Sequence, residues 1–495
     1  MIIILIIVFS IVININSSNS DTGTVKQSFA FKVIPPFSTN DFTYFSYILV
    51  CINFSFNFSL LFNKQNDVID CIQSVLESKY EDYHIYVVDN ASTDESVMLI
   101  REHYGSCDRL TLIENSENLG GSGGFNTGLR AAMAEGHMYL MCVDNDALLD
   151  ENCIGTLSDF LDSHEKVGIA AAKIYHTGQE NYVQQYGSFI DYDNYSVDST
   201  YLNHIEDGSM PDVVYSDAVP ACALMIRRTV VEKIGVMPEE NFLYWDDTEW
   251  CVRCREAGYE VASVGAAAAS HAMGAKKENI NTFPTYYAWR NWIKFFLDHI
   301  DEERLSDMAE TFLGSIFEIN YTGLYRGEEN RSKTVMAALD DALHKVMGKA
   351  KEDRIFNLEL TYDGLERAIG DKSDIAIIAG EFPLYADALK EKIKVMWPDK
   401  RVYIVGLQDT DEAYGTAHFQ PDATITICES IFRQDDLSLS TYVMDLDGNV
   451  LVDEDDVLMV INYNFSRRSF IFSMKPLFMR LSRQNYGFKK NSKKH

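Results

Sequence analysis

The spacing of apolar residues predicts strands that alternate with helices through the middle of the chain. Residues 66–76 place apolar side chains on one helical face, and the short apolar runs 84–88, 110–113 and 139–143 are typical of buried strands. A second helix is predicted over residues 125–134. Because alternating strands and helices favour a parallel sheet with right-handed crossovers, we expect an α/β domain.

Beyond residue 300 the pattern changes twice. Residues 301–370 are charged and helical in periodicity, whereas residues 371–460 hold three short apolar strand candidates with a helix between the first two. We expect a helical segment followed by a small α/β accessory module, for which a structural role is favoured over the binding of a polymer, partner or nucleotide. Residues 461–495 form a basic tail that is expected to be solvated, with contact to anionic lipid at a membrane surface as the alternative.

The N-terminal residues 1–55 form a divergent, apolar segment. The run 2–13 is too short to span a bilayer comfortably and no Lys or Arg precedes it, so a signal peptide and a short anchor both stay open. The run 42–62 fits either an interfacial segment or a first strand. A glycosylation sequon at Asn90 would fall inside the expected ligand pocket, which favours a cytoplasmic protein.

Charge and cysteine content narrow the class of protein. The formal net charge of −31 over 495 residues argues against a nucleic-acid partner, and it implies a local metal ion wherever phosphates are bound. The nine cysteines are an odd number and most lie in apolar surroundings, which indicates free thiols in a reducing compartment.

Two carboxylates stand where the run 139–143 ends. Asp144 and Asp146 are separated by one residue, and the carboxyl edge of an open α/β sheet is where ligands bind. Carboxylates this close repel unless a cation lies between them, and a hard divalent cation carrying a diphosphate would serve. His271 follows a later predicted strand and is a credible third ligand beside two carboxylates. An acidic turn with a structural histidine is the alternative.

A glycine-rich stretch, residues 118–126, is expected as a loop before the second helix. Its four glycines would let the backbone approach a ligand closely, and the N-terminus of the following helix would attract an anion. The stretch lacks the Gly-Lys-Ser/Thr of a Walker loop, and Asn126 stands where the dinucleotide fingerprint has its last glycine. Taken alone, such a stretch is more often a flexible turn than a phosphate site.

A second acidic pair, Asp246 and Asp247, opens another predicted helix. Carboxylates in a first helical turn are common caps, but here Tyr244, Trp245 and Trp250 flank them. A carboxylate beside a partly apolar wall suits a general base next to a sugar-stacking surface. Both interpretations stay open on these residues alone.

Taken in order, these motifs resemble those of glycosyltransferase family 2, most closely its galactofuranosyltransferase and rhamnosyltransferase branch. The resemblance covers residues 62–300, within a catalytic domain expected over 56–300, and several separated motifs in the right order carry it. These motifs are residues 87–94 (VVDNASTD), 118–126 (NLGGSGGFN), 144–146 (DND), 245–250 (WDDTEW), His271 and 286–291 (YYAWRN).

The resemblance implies a GT-A fold, that is, a Rossmann-like mixed sheet with helices on both faces. It implies a metal-dependent, inverting hexosyltransferase of polysaccharide or cell-wall biosynthesis. The expected location stays the cytoplasm, with peripheral contact at the membrane surface as the alternative that the basic tail leaves open. The donor would be a UDP- or dTDP-sugar, with galactofuranose or rhamnose favoured, and the acceptor a glycan or glycolipid hydroxyl. The cofactor would be Mn²⁺ or Mg²⁺.

The resemblance also implies roles for single residues. Asp89 would meet the nucleoside base, and Asn118 and Gly121 would line the donor site. Asp144 and Asp146, with His271, would hold the cation on the diphosphate.

The same resemblance assigns the catalytic pair. Asp247 would be the general base, and Asp246 beside it would orient the acceptor. Arg290 and Asn291 match a family motif close to the donor pocket, and Arg290 is taken as a donor-binding residue.

The sequence departs from the family pattern at two places, and two other classes of protein are considered as alternatives. The segment 61–64 (LFNK) replaces the usual signature before the first helix, and Pro220-Ala221 stands where galactofuranosyltransferases have a Trp pair. A nucleotidyltransferase would need a basic, Gly-rich signature near the N-terminus, which the sequence lacks. A non-catalytic nucleotide-sugar or glycan-binding protein would keep the pocket without the base, and it is the alternative function.

Overall fold

The computed structural model describes residues 26–29, 48–55, 64–272, 282–358, 364–405, 421–433 and 442–488. The chain divides into two compact units. Unit 1 comprises Met1–Leu305, Ala337–Ile355 and Leu481–His495, and unit 2 comprises Ser306–Met336 and Phe356–Arg480. The apolar run 2–13 lies outside the described residues.

Unit 1 contains a large mixed sheet. Its strands in chain order are β1 (Lys26–Phe29), β2 (Ile48–Ser55), β3 (Tyr83–Asp89), β4 (Leu110–Glu114), β5 (Tyr139–Asp144), β6 (Ala147–Leu149), β7 (Val167–His176), β8 (Gln179–Gln185), β9 (Ser188–Asp191), β10 (Ser196–Ser199), β11 (Val213–Ser216), β12 (Ala223–Arg227) and β13 (Glu260–His271). β9 and β10 pair with each other, and the other eleven strands form one sheet in the order β11-β13-β7-β12-β5-β2-β1-β3-β4, with β6 on β13 and β8 on β7.

The helices of the chain follow the predicted alternation in unit 1 and continue into unit 2. They are α1 (Lys64–Leu76), α2 (Ser96–Tyr104), α3 (Gly120–Glu135), α4 (Cys153–Ser163), α5 (Arg228–Ile234), α6 (Asp246–Glu256), α7 (Phe283–His299), α8 (Leu305–Tyr325), α9 (Glu329–Leu343), α10 (Gly364–Ile369), α11 (Pro383–Met396) and α12 (Glu454–Asn485).

The main sheet is buried on both faces. In β5, Met141 and Val143 belong to one apolar core together with residues of α1 and α4. Leu140 and Cys142, which point to the opposite face, belong to a second core with residues of α3, α5 and α6. A strand that is apolar at every position is what a sheet between two helical layers requires. The predicted α/β class with helices on both faces is therefore confirmed.

The centre of the sheet explains its mixed character. β2 runs parallel to both β5 and β3, and β4 extends the parallel part beyond β3. β12 is antiparallel to β5 and to β7, so the sheet changes direction there. Because β2 lies within residues 42–62, the strand interpretation holds for that part of the apolar run, and the sheet includes residues before position 56.

Two sequence-based expectations about local structure are wrong. The glycine stretch is not a loop before a helix that begins near residue 125, because α3 already begins at Gly120. Asn118 makes this early start favourable, since its Oδ1 accepts a hydrogen bond from the Gly120 amide at 2.8 Å, one of the amides that a helix start leaves without a partner. The basic tail is not solvated coil throughout, because α12 continues to Asn485.

Unit 2 contains the predicted small α/β module. Its strands are β14 (Asp374–Ile378), β15 (Arg401–Val405), β16 (Ala423–Cys428), β17 (Tyr442–Asp445) and β18 (Val450–Leu451), in the order β15-β14-β16-β17-β18. The first four are parallel, and a tight hairpin joins β17 to β18. The eight cysteines whose side chains are described are all free, which agrees with the expectation of reduced thiols.

The two-sided burial of β5 predicts a large penalty for removing one of its side chains. Met141 is 0% exposed, so Met141→Ala should lower the free energy of unfolding by about 2–5 kcal/mol through lost burial and the cavity that remains. Met98 is 53% exposed, and Met98→Ala should change it by no more than about 0.5 kcal/mol. Urea unfolding measures both, and equal losses would contradict the packing described.

Candidate functional site

The strand register brings Asp144, Asp146 and His271 to one point at the edge of the main sheet. β5 ends at Asp144, and β13 ends at His271, which pairs with Ala147 of β6. His271 Nε2 lies 3.1 Å from Asp146 Oδ1 and 3.7 Å from Asp144 Oδ2. One ligand atom from each residue lies within 4.8 Å of the others, so the three predicted metal-site residues form a single cluster.

The chemistry of this cluster fits a hard divalent cation. Desolvation at the sheet edge raises the pKa of Asp144 to about 7, the His271 imidazole opposes that rise, and Asp146 adds to it. A carboxyl group in this position favours its neutral form until a positive charge arrives. Two carboxylates and one imidazole are ligands that Mn²⁺ accepts. These residues therefore fit the cation that the sequence predicts.

Gln184 orients His271, and no motif in the sequence predicts this contact. His271 Nδ1 lies 2.8 Å from Gln184 Oε1, and Gln184 Nε2 donates to the His271 backbone oxygen at 2.9 Å. With Nδ1 as the donor to that amide oxygen, Nε2 faces the two carboxylates, and a bound cation would take the place of a proton on Nε2. Gln184 lies 87 residues before His271 on β8, so only the folded register shows the pair.

The second acidic pair joins the same site from the start of α6. The Asp247 carboxylate accepts hydrogen bonds from the amides of Ala221 at 3.2 Å and Thr248 at 2.6 Å. Desolvation and the neighbouring Asp247 charge raise the pKa of Asp246 to about 7. Desolvation also raises the pKa of Asp247, and the two amide bonds oppose that rise. Asp247 also adds to the raised pKa of Asp144, so the two acidic pairs share one electrostatic site.

The aromatic residues around this pair divide into two groups. Trp250 is 0% exposed and donates Nε1–H to the Gly235 oxygen at 2.9 Å, so it belongs to the core and cannot form the expected sugar-stacking wall. Trp245 stacks within the aromatic residues of α7, with its ring centroid 5.1 Å from that of Phe295. Tyr244 remains 41% exposed, and burial of its hydroxyl together with the charges of nearby carboxylates raises its pKa to about 12. Of the three aromatic residues, Tyr244 is the most exposed, and Trp245 is partly exposed.

The glycines of α3 allow close contact with the turn that carries the acidic pair. The Gly121 amide donates to the Phe242 oxygen at 2.6 Å, and a Cβ on Gly120 would lie 2.2 Å from that same oxygen. A Cβ on Gly121 would lie 3.7 Å from Asp246 Oδ2. Asn126 fixes the other side of α3, since its side chain exchanges hydrogen bonds with the Met237 backbone at 2.8 and 3.0 Å. The glycine stretch is thus a site of helix-to-turn packing next to Asp246.

Asp89 and Asn118 lie in a neighbouring hydrogen-bond network at the end of β3. Both Asp89 carboxylate oxygens accept the Ser92 amide, at 3.1 and 2.9 Å. Asn90 donates to the Gly120 oxygen at 2.9 Å and accepts from the Leu119 amide at 3.0 Å. This network fixes the start of α3, and contact of Asp89 or Asn118 with a ligand stays a prediction.

The turn before α6 is strained, and α7 holds it. Phe242, Tyr244 and Trp245 have φ values of 64°, 64° and 65°, a backbone conformation that bulky residues rarely adopt. Asn291 Nδ2 donates to the backbone oxygens of Asn241, Leu243 and Tyr244 at 2.8, 2.7 and 3.1 Å. The Nδ2 group of one buried amide therefore holds three backbone carbonyls of the turn, while its Oδ1 accepts a hydrogen bond from Arg290 Nε at 2.9 Å.

Arg290 supports the same turn. Its side chain is 1% exposed, and it donates to the backbone oxygens of Asn241 at 2.8 Å and Gly348 at 2.6 Å. Its guanidinium also lies 4.9 Å from the Tyr287 ring centroid. These contacts are with protein groups, and a direct contact of Arg290 with a donor stays a prediction.

The contacts of Asn291 predict a large and specific loss of stability. Asn291→Ala should lower the free energy of unfolding by about 2–4 kcal/mol, because it leaves buried carbonyls of a strained turn without their donor. The exposed Asn181 is the matched control, and Asn181→Ala should have almost no effect. Thermal or urea unfolding compares them, and similar losses would show that Asn291 does not hold the turn.

Comparison with known proteins identifies part of the chain. Residues 60–235 match the family described as glycosyl transferase family 2. The chain is 25% identical over 209 residues to the dTDP-rhamnosyl transferase RfbF of Shigella flexneri, covering 42% of this chain and 65% of that protein. It is 22% identical over 370 residues to the galactofuranosyltransferase GlfT2 of Mycolicibacterium smegmatis, covering 68% of this chain and 53% of that protein.

The chain thus spans about half to two thirds of the length of these two relatives. Among solved structures, a crystal structure of S. aureus TarS residues 1–349 has 15% sequence identity and a TM-score of 0.37, and the match covers 58% of this chain and 79% of that one. The family match and the two curated relatives agree with each other and with the resemblance in the sequence. Residues 60–235 are a glycosyl transferase family 2 domain.

Proposed function

We propose that this protein is a metal-dependent, inverting glycosyltransferase that moves a sugar from a nucleotide-diphosphate donor to a hydroxyl of a glycan or glycolipid. The observation that carries the proposal is the single electrostatic site formed by Asp144, Asp146 and His271 with the pair Asp246 and Asp247. Such a cluster of carboxylates with raised pKa values lowers the stability of the fold and is typical of functional sites.

The cation would be Mn²⁺ or Mg²⁺, held by Asp144, Asp146 and His271. When bound, it supplies Lewis-acid neutralisation of the charge that develops on the diphosphate leaving group. Gln184 supports this role, because its bond to Nδ1 directs His271 Nε2 towards the two carboxylates that would hold the cation with it.

Asp247 is the proposed general base. The acceptor hydroxyl oxygen forms a bond to the anomeric carbon while the bond from that carbon to the diphosphate oxygen breaks, and the hydroxyl proton moves to the Asp247 carboxylate. The amides of Ala221 and Thr248 favour the ionised carboxylate that this step needs, and they also fix its direction. A single displacement of this kind inverts the configuration at the anomeric carbon.

Asp246 is the proposed acceptor-orienting residue. The raised pKa of Asp246 means that the pair tends to hold one proton near neutral pH. The ionised Asp247 would then act as the base, and the neutral Asp246 beside it would donate a hydrogen bond. Tyr244, which is 41% exposed, is the proposed stacking surface for a sugar ring.

The donor nucleotide would lie along the Asp89, Asn118 and Gly121 side of the site. Gly121 supports this assignment through its closeness to Asp246, since a larger residue would narrow the space there. Arg290 would act through the turn that it holds. The names of the two curated relatives, a dTDP-rhamnosyl transferase and a galactofuranosyltransferase, support rhamnose and galactofuranose as the first sugars to test, carried on dTDP or UDP.

Metal binding has a readout that does not depend on turnover. Mn²⁺ should raise the melting temperature of the wild type, because a ligand that binds only the folded state stabilises it. Asp146→Asn and His271→Ala should lose most of this rise, whereas the exposed His103→Ala should keep it. Since Asp144 must be ionised to bind, the rise should shrink as the pH falls below about 7. If Mn²⁺ raises the melting temperature of Asp146→Asn as much as that of the wild type, the cluster is not the metal site.

Turnover tests the catalytic assignment. With a panel of UDP-, dTDP- and GDP-sugars, the wild type should hydrolyse one donor slowly in the presence of Mn²⁺, with water taking the place of the acceptor. Asp247→Asn should lower this rate by about 10²–10⁴-fold, the usual contribution of a general base, and still bind the donor. Asp246→Asn should mainly raise the KM for a glycan acceptor. The rate of the wild type should fall at acidic pH, once the Asp247 carboxylate takes up a proton, and desolvation raises the pKa at which this happens above the usual value for an aspartate.

Two results would overturn this assignment in different ways. If Asp247→Asn turns over the donor as fast as the wild type, Asp247 is not the general base, although the protein is still a transferase. Metal-dependent donor binding by the wild type, without turnover of any donor or acceptor, would favour the alternative of a non-catalytic nucleotide-sugar or glycan-binding protein.

A further inference from the structure

The helix α12 exposes a line of large apolar side chains within unit 2. Leu458, Ile461, Phe465 and Phe472 are 54%, 64%, 75% and 83% exposed. Their spacing of three, four and seven residues places them on one helical face, which is about 21 Å long at 1.5 Å per residue. These four residues are called the outer stripe below.

The outer stripe is not needed to attach α12 to unit 2. The opposite face of the helix carries Val460 and Tyr463, both 6% exposed, which pack with Phe317 and Phe432 in a core of unit 2. The Tyr463 and Phe432 rings stack with centroids 4.5 Å apart. Since the inner face already supplies the packing, the apolar outer stripe needs another explanation.

The charge around the outer stripe is opposite to that of the rest of the chain. The first turn of α12 carries Glu454, Asp455 and Asp456, but from Val457 to His495 the sequence contains nine Lys and Arg residues and no Asp or Glu, whereas the whole chain has a formal net charge of −31. Lys475 is paired with Glu310 at 2.8 Å. The exposed Arg468 and Arg480 form no ion pair with any other residue that the structure describes.

Apolar side chains flanked by cations fit one kind of surface. An interfacial helix lies in the plane of a membrane with its apolar residues among the acyl chains and its basic residues at lipid phosphates. Arg side chains at the edge of the apolar face can reach upward to the headgroups while their stems stay in the apolar layer. No helix in the described part of the chain is long and apolar enough to cross a membrane.

We propose that the outer stripe of α12, with Arg468 and Arg480, is a docking surface for an anionic phospholipid bilayer. Charge complementarity carries this assignment: a basic, apolar face on a strongly acidic protein is attracted to a negative lipid surface, which repels the rest of the chain. The surface lies in unit 2 and is independent of the proposed transferase chemistry in unit 1.

Vesicle flotation with the full-length chain tests the proposal. The wild type should float with phosphatidylcholine vesicles that contain phosphatidylglycerol and much less with phosphatidylcholine alone. Phe465→Ser with Phe472→Ser should lower the bound fraction by at least about tenfold, because the buried apolar area is lost. Arg468→Glu with Arg480→Glu should lower it to a similar degree on anionic vesicles, and added salt should weaken wild-type binding.

A matched control exists on another helix of unit 2. Leu384 and Val395 of α11 are 84% and 81% exposed, and acids and bases alternate along their helix, whereas the acids of α12 are confined to its first turn. Leu384→Ser with Val395→Ser should bind anionic vesicles as the wild type does. If this control loses as much vesicle binding as the Phe465→Ser and Phe472→Ser change, binding is a nonspecific effect of exposed apolar residues and the proposal is overturned.

Two further outcomes would also overturn it. The wild type would stay with the lipid-free fraction if the stripe does not meet lipid. Alternatively, light scattering would show a dimer that the Phe465→Ser and Phe472→Ser change converts to monomer, which would assign the stripe to a second copy of the chain. Donor hydrolysis by the same protein samples reports separately on the proposed function, so failure of either hypothesis is distinguishable.

Discussion

Repulsion among carboxylates at one edge of the main sheet is the constraint on which unit 1 depends. Asp144, Asp146, Asp246 and Asp247 share this edge, and desolvation together with neighbouring charge raises the pKa of Asp144 and Asp246 to about 7. Backbone amides offset part of the cost at Asp247, and His271 offsets part of it at Asp144. A site of this kind lowers stability and persists only where the surrounding structure fixes it from several sides.

The surrounding structure meets that requirement through rigid backbone. β5, which ends at Asp144, is buried on both faces, and β12 on one side and β2 on the other hold it in place. On the other side of the site, the strained turn before α6 is tied to α7 by the Asn291 amide and packed against the start of α3. Two rigid parts therefore meet at the carboxylates, which is the arrangement that catalysis by positioned charges needs.

The sequence predicts the elements that bear ordered motifs, and it fails where a role depends on register. The strand that ends in Asp144 follows from its continuous apolar run, and the family resemblance correctly predicted that His271 would join Asp144 and Asp146. Gln184 could not be found, because a single glutamine on a strand has no pattern and its partner lies 87 residues away. For Trp250 the sequence predicts a role that the structure does not support. Its position close to two carboxylates indicated a sugar-stacking wall, but the helical turn directs its ring into the core.

Local propensity explains the remaining differences. Glycine lowers helix propensity, so the run Gly120–Gly124 is predicted as a loop. In the structure these positions are buried, and a Cβ on Gly120 would lie 2.2 Å from the Phe242 oxygen, so tertiary packing decides the outcome. The basic tail reads as solvated because charge usually means solvent. In the structure its inner apolar positions pack on unit 2 and make it a helix up to Asn485.

The negative charge of the carboxylates bears on the order in which the cation and the donor bind at the proposed site. A nucleotide diphosphate is an anion, and the edge that would receive it carries four carboxylates. Arg290, the nearest cation that the family motif suggests, has its guanidinium bonded to backbone carbonyls and is 1% exposed. Under the proposed function the divalent cation supplies electrostatic attraction for the donor, and we expect it to bind before the donor or together with it. The raised pKa of Asp144 adds to this coupling, since binding of the cation releases the proton that otherwise reduces the repulsion.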